Sequence, residues 1–171
     1  RIEGNRSDNL EQAIVHFKNA LEVYNQEDFP RLWAVVQNGL GIAYRNRILG
    51  EVSDNIESSI KYYESAIEIN PPVTLPRNWA VTQNNLGNAY FQRIKGDYAE
   101  NLEKAIYHHT MSLEYCTKET LPREWSQIQN SLGNAFNERI FGSKADNVEE
   151  AIKYYHKALE LRKHSDFPNE W

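Results

Sequence analysis

Tryptophan stands at 33, 79, 125 and 171 and proline at 30, 76, 122 and 168, each step being 46 residues. No other feature constrains the fold so tightly. A self-similar period of this order means that one structural unit is stacked on copies of itself. A third column agrees: RIEG (1–4), RILG (47–50), RIKG (93–96) and RIFG (139–142) share the same spacing. The first four residues match the end of a repeat segment and the last five match a beginning, so the expectation is a piece of a longer array.

The segment after each proline reads WAVVQNGLGIAYRNRI, WAVTQNNLGNAYFQRI and WSQIQNSLGNAFNERI. At about 100° per residue, Trp79, Gln83, Leu86, Gly87, Tyr90 and Ile94 share one helical face, with Asn84, Asn88 and Phe91 roughly opposite. Pro76 suits a first turn, where its missing N–H costs nothing. The column of Asp28, Thr74, Thr120 and Asp166 supplies the expected N-caps and marks the repeat junctions near 28, 74, 120 and 166. Each helix is expected to stop near Gly50, Gly96 and Gly142, with the isoleucine of RI-x-G closing the apolar face. Arg47, Arg93 and Arg139 fall on the buried side at the helix end. An arginine there can lay its stem on the core and complement the helix dipole, which points to a structural role rather than a ligand contact.

A second helix follows in each unit, opening DNLEQAI, DNIESSI, ENLEKAI and DNVEEAI. Asp8 with Glu11, Asp54 with Glu57, and Asp146 with Glu149 have the spacing of a capping box, with Glu100 a poorer cap. Leu10, Ala13, Ile14, Phe17, Ala20, Leu21 and Tyr24 form one broad apolar stripe, which needs a neighbouring helix to cover it.

LG-x-x-Y in the first helix (Leu86, Gly87, Tyr90), then small, aromatic, small in the second, resembles the tetratricopeptide repeat. Ala13, Phe17 and Ala20 carry the second pattern, as do Ser59, Tyr63 and Ala66, and Ala151, Tyr155 and Ala158. The third copy departs with Ala105, His109 and Ser112. The usual unit of that family is about 34 residues, so each half here is about six longer. The resemblance implies an all-α, right-handed α-solenoid of antiparallel helix pairs, about seven helices plus a C-terminal stub, forming a single array over residues 1–171. The long NNLGNAY-type unit also resembles multi-repeat bacterial proteins, many cyanobacterial, whose arrays are often linked to CHAT protease or other effector domains.

The resemblance further implies a concave groove, lined from the first helix, that holds a peptide. Asn38, Asn84 and Asn130 precede the leucine by two residues, and Asn88 and Asn134 lie one turn on, with Ile42 breaking the column. A carboxamide can pair with both N–H and C=O of an extended peptide. Asparagine in a helix interior wants a reason, and bonding to an adjacent helix would serve equally well. Arg45, Phe91 and Asn137 take the next position along the groove, whereas Gln37, Gln83 and Gln129 lie nearer the packed face. The groove is rich in amides rather than lysines, unlike a clamp for a doubly negative carboxylate terminus.

Catalysis is not expected. Cys116 has no general-base partner, the histidines do not converge, and His109 reads as a half-buried core histidine with one hydrogen-bond partner. No metal or cofactor is implied. A net charge of −5 argues against nucleic acid, and no apolar run approaches a membrane span. The lone cysteine suits a reducing, cytoplasmic setting. The expected activity is a protein-interaction scaffold binding an extended peptide or protein segment of unknown identity on its concave face. The alternative is an architectural spacer or self-associating rod supporting an effector domain, with weak self-association through exposed repeat ends.

Overall fold

The computed structural model describes residues 5–69 and 76–161. Thr74, Asp166 and the C-terminal stub lie outside them. Among the described residues there are seven helices and no strand: α1 (Arg6–Val23), α2 (Pro30–Arg45), α3 (Val52–Ile69), α4 (Pro76–Phe91), α5 (Tyr98–Leu113), α6 (Pro122–Glu138) and α7 (Lys144–Leu159). Consecutive helices pack on one another along the chain, as in a helical repeat solenoid. First helices of neighbouring repeats also touch (α2 with α4, α4 with α6), whereas the second helices α1, α3, α5 and α7 do not touch each other. The first helices therefore form the inner row of the stack.

The leucines of the LG motif are among the deepest residues: Leu40, Leu86 and Leu132 are fully buried. The glycine beside each lets the following helix come close. A Cβ on Gly41 would lie 2.4 Å from the ring of Tyr63, on Gly87 2.8 Å from His109, and on Gly133 2.5 Å from Tyr155. Those separations are below van der Waals contact, so a side chain here must displace a packed ring.

Several local expectations are corrected. With proline at the first helical position, the N-cap is the residue just before it, Phe29 or Leu121, and neither caps through its side chain. Asp28 and Thr120 instead order the preceding turn: Asp28 accepts from Asn25 Nδ2 at 2.7 Å, and Thr120 Oγ1 accepts from the Thr117 N–H at 3.1 Å. The second helices begin before the acid column. Asn5, Asp97 and Ser143 cap α1, α5 and α7. Asp8, Asp54, Glu100 and Asp146 sit in the first turn, where negative charge complements the helix dipole. The first helices end at Arg45, Phe91 and Glu138, ahead of the glycines. Ile48, Ile94 and Ile140 consequently lie beyond the helix and are exposed rather than closing the apolar face. Gly50, Gly96 and Gly142 make the turn itself, with φ of 80°, 82° and 86°.

The RI-x-G arginines do structural work that the linear spacing concealed. Arg47 grips Glu11 through Nε and Nη2 at 2.7 and 2.8 Å, Arg93 grips Glu57 at 2.7 and 2.8 Å, and Arg139 grips Glu103 at 2.6 and 2.8 Å. Each pair ties the end of a first helix to the second helix of the preceding unit. The guanidinium holds Glu11 and Glu57 below the usual carboxylate range. Each arginine also lies over an aromatic ring in the last turn of the helix it follows, Tyr44, Tyr90 or Phe136.

Candidate functional site

The inner row carries most of the asparagine ladder, and the neighbours of each carboxamide define what it can offer. Asn38 Oδ1 accepts from Asn85 Nδ2 at 3.2 Å, and Asn88 Oδ1 accepts from Ser131 Oγ at 3.4 Å. Both bonds bridge adjacent first helices. Asn84 Oδ1 accepts from His109 Nδ1 at 3.0 Å, and Asn134 Oδ1 accepts from the Tyr155 hydroxyl at 2.9 Å. Those two join a first helix to the second helix of its own unit. Four ladder asparagines thus spend their carbonyl oxygen on helix packing. Their Nδ2 groups meet no acceptor among the described residues. With the oxygen held inward, the amide N–H2 is the end left to a partner.

The remaining candidates are less uniform. Asn130 is half-buried with no side-chain hydrogen bond among the described residues. Asn137 is exposed, and its backbone carbonyl accepts from Lys144. Arg45 is half-buried, while Phe91 packs partly against the Ile56–Leu86 core cluster. Between α2 and α4 an open pocket of about 190 Å³ is lined by Ala34, Val35, Asn38, Asn78, Val81 and Thr82. Its walls combine two valines with two carboxamides, a surface able to take a small aliphatic side chain beside peptide groups.

The glutamines behave differently from the asparagines. Gln37, Gln83 and Gln129 are buried, and Gln83 Oε1 pairs with His108 Nδ1 at 2.7 Å. His108 stacks on Tyr90 with ring centroids 5.4 Å apart. His109 is fully buried rather than half-buried, because it takes the place of a core aromatic against Gly87; it keeps one partner, Asn84. Burial lowers His108 to about 4 and His109 to about 3, so both are neutral at pH 7. Cys116 is fully buried, and burial pushes its thiol up, away from nucleophilic character. Among the described residues no three His, Cys, Asp or Glu side chains stand together as a metal set, and no helix is long and apolar enough to cross a membrane.

One set of residues carried a signal that the motif reading passed over. Asn55, Asn101 and Asn147, the second letter of the DN and EN openings, are buried and recur at the repeat spacing. Each Nδ2 donates at 2.9 Å across the turn, to the carbonyls of Leu49, Lys95 and Phe141. They staple the glycine turns and so set the angle between the two helices of a unit.

Comparison with known families agrees with this geometry. Residues 53–72 match the tetratricopeptide repeat model, and residues 80–114 and 129–162 match the Sel1 repeat model. Neither a curated protein nor a solved structure shows significant similarity to the chain. Repeats of both kinds generally mediate protein–protein interaction and are typically non-catalytic scaffolds. With their consecutive helix pairs and close Gly–aromatic contacts, these matched segments are tetratricopeptide-like repeats.

Proposed function

We propose that the chain is an adaptor whose inner row of first helices holds an extended segment of another protein. The observation that carries this reading is the polarity of the asparagines: Asn38, Asn84, Asn88 and Asn134 turn Oδ1 to neighbouring helices and keep Nδ2 for a partner's carbonyls. Each such bond contributes on the order of 1 kcal/mol net, so several in register are needed for useful affinity. The valine-walled pocket beside Asn38 supplies an anchor for a small aliphatic side chain. Asn130, Asn137, Arg45 and Phe91 flank the row and would tune which segment is accepted.

A random peptide library displayed on phage tests this directly. Enriched peptides should lose binding to Val35→Arg, which fills the pocket mouth from a half-exposed position, and keep it for Tyr107→Arg on the second-helix side. Equal loss with both variants, or no enrichment, would sink the groove. The alternative is a spacer supporting an effector domain, and the repeated Arg–Glu clamps that join successive units favour it. A rod without a groove ligand would give no enriched peptide at all.

A further inference from the structure

The isoleucine of each RI-x-G turn has no task in the core. Ile48, Ile94 and Ile140 are 54%, 67% and 57% exposed, yet the same side chain recurs at every described turn between the two helices of a unit. Each turn sets further large apolar groups beside it: Leu49 and Val52 in the first, Tyr98 in the second and Phe141 in the third, each about half exposed. Surface turns ordinarily carry small polar residues, because an apolar side chain left in water gains nothing from folding. The three turns lie on one edge of the stack, since each joins a first helix to the second helix of the same unit. Together they form an apolar ridge running from unit to unit.

The ridge is ordered before anything binds it. Gly50, Gly96 and Gly142 at positive φ and the staples from Asn55, Asn101 and Asn147 fix every turn. Lys95 reaches back to Asp54 at 2.6 Å, and the Tyr98 hydroxyl donates to Glu138, so neighbouring units are tied together along this edge. A surface already ordered loses little entropy when a partner seats on it. Its electrostatics are one-sided. The arginines of the turns are taken by Glu11, Glu57 and Glu103, and Lys95 by Asp54. Glu51, Asp97, Glu100 and Asp146 stand exposed where the second helices begin, without an ion pair among the described residues; the one lysine in that state, Lys144, donates to the Asn137 carbonyl. These acids outweigh the roughly half-unit positive end of each helix. Such an edge repels an anionic lipid surface and attracts a partner that covers apolar side chains and supplies cations.

We propose that the edge built from the glycine turns is a second docking surface, separate from the inner row, for an amphipathic helix of another protein with aliphatic residues on one face and lysine or arginine beside them. First helices in contact place successive turns about 8–10 Å apart. A helix advances about 10.5 Å in seven residues, so apolar side chains at heptad spacing meet Ile48, Ile94 and Ile140 in turn. The flanking cations then reach Glu51, Asp97, Glu100 and Asp146.

A phage-displayed library tests this. Its peptides have about 20 residues, long enough to span three turns, with leucine fixed at heptad a and d positions and Lys, Arg, Glu, Gln and Ser randomised elsewhere. Panning is done against the Val35→Arg chain, so that the inner row plays no part. Enrichment of clones rich in Lys and Arg is expected. A fluorescein-labelled synthetic copy of the leading clone, followed by anisotropy, should bind Ile94→Ser about tenfold more weakly, the scale of one reburied aliphatic side chain. Adding Ile48→Ser and Ile140→Ser should abolish binding. Ile94→Met, which restores an apolar side chain, should keep it, and separates a lost contact from a misfolded chain. Absence of enrichment, an acidic or uncharged consensus, or binding indifferent to the isoleucines overturns the proposal. So does sedimentation of the chain with phosphatidylserine vesicles, or self-association, that the triple substitution abolishes, because the edge would then serve a membrane or a second copy.

Discussion

Two tyrosines in the same column of the repeat should respond oppositely to loss of their hydroxyl. Tyr155 donates to Asn134 Oδ1 at 2.9 Å. Tyr63 stands two repeats earlier, its ring against Gly41 as the Tyr155 ring is against Gly133. Its hydroxyl is buried without a partner, and burial pushes it up to about 12. The reason is in the sequence: where Asn134 accepts, the first copy has Ile42. A buried hydroxyl lacking a bond costs about 1–3 kcal/mol of desolvation, while a satisfied one contributes about 1 kcal/mol. Tyr63→Phe should therefore be neutral or raise stability by up to about 1 kcal/mol, whereas Tyr155→Phe lowers it by about 1 kcal/mol. Ile42→Asn should supply the missing acceptor, and its benefit should vanish in the Tyr63→Phe background, a double-mutant cycle with about 1 kcal/mol of coupling. Urea unfolding followed by circular dichroism measures the wild type and all four variants, and a 1 kcal/mol change corresponds to about 2–4 °C in Tm for a chain of this size. If Tyr63→Phe destabilises as much as Tyr155→Phe, or Ile42→Asn shows no coupling to Tyr63, the register assigned to the ladder is wrong.

Acid should weaken the middle of the array first. His108 and His109 are held below the ordinary histidine value by burial, to about 4 and about 3, so between those values and about 6.5 the unfolded chain binds more protons than the folded one. Stability contributed by their neutrality is complete above about 6.5 and falls as pH drops, by at most about 1.4 kcal/mol per pH unit for each histidine. His109→Tyr, the residue its neighbours use, should flatten the pH 4–6.5 limb of a melting series, and an unchanged limb would assign it elsewhere. Gly87→Leu should destabilise more than Asn84→Ala, since even a Cβ would lie 2.8 Å from the packed His109 ring, whereas Asn84→Ala leaves the buried His109 Nδ1–H without its partner at about 1–3 kcal/mol; thermal melts giving the opposite order would mean that α4 is rotated.

Periodicity alone determined the architecture. A column of Trp and Pro every 46 residues, a leucine–glycine pair in each first helix and an apolar stripe in each second helix admit little besides stacked helix pairs. These features are local or strictly repeated, so they can be read along the line. Helix ends were read less well, because caps compete over a few residues. Proline at the first helical position moves the cap to Phe29 and Leu121, and Asn5, Asp97 and Ser143 outcompete the acids three residues further on.

What tertiary structure decided are contacts between units, set by how one helix pair is rotated on the next. No spacing within a single helix reveals that Arg93 reaches Glu57, thirty-six residues away, or that Ile94 falls outside the core beside it. The asparagine ladder belongs to the same class. Its columns are plain in the sequence, but whether a carboxamide faces a partner or the next helix depends on the position of Asn85, Ser131, His109 and Tyr155 in space. The one buried hydroxyl left without a bond among the described residues, at Tyr63, arises because a repeat can change one partner of a pair without changing the other.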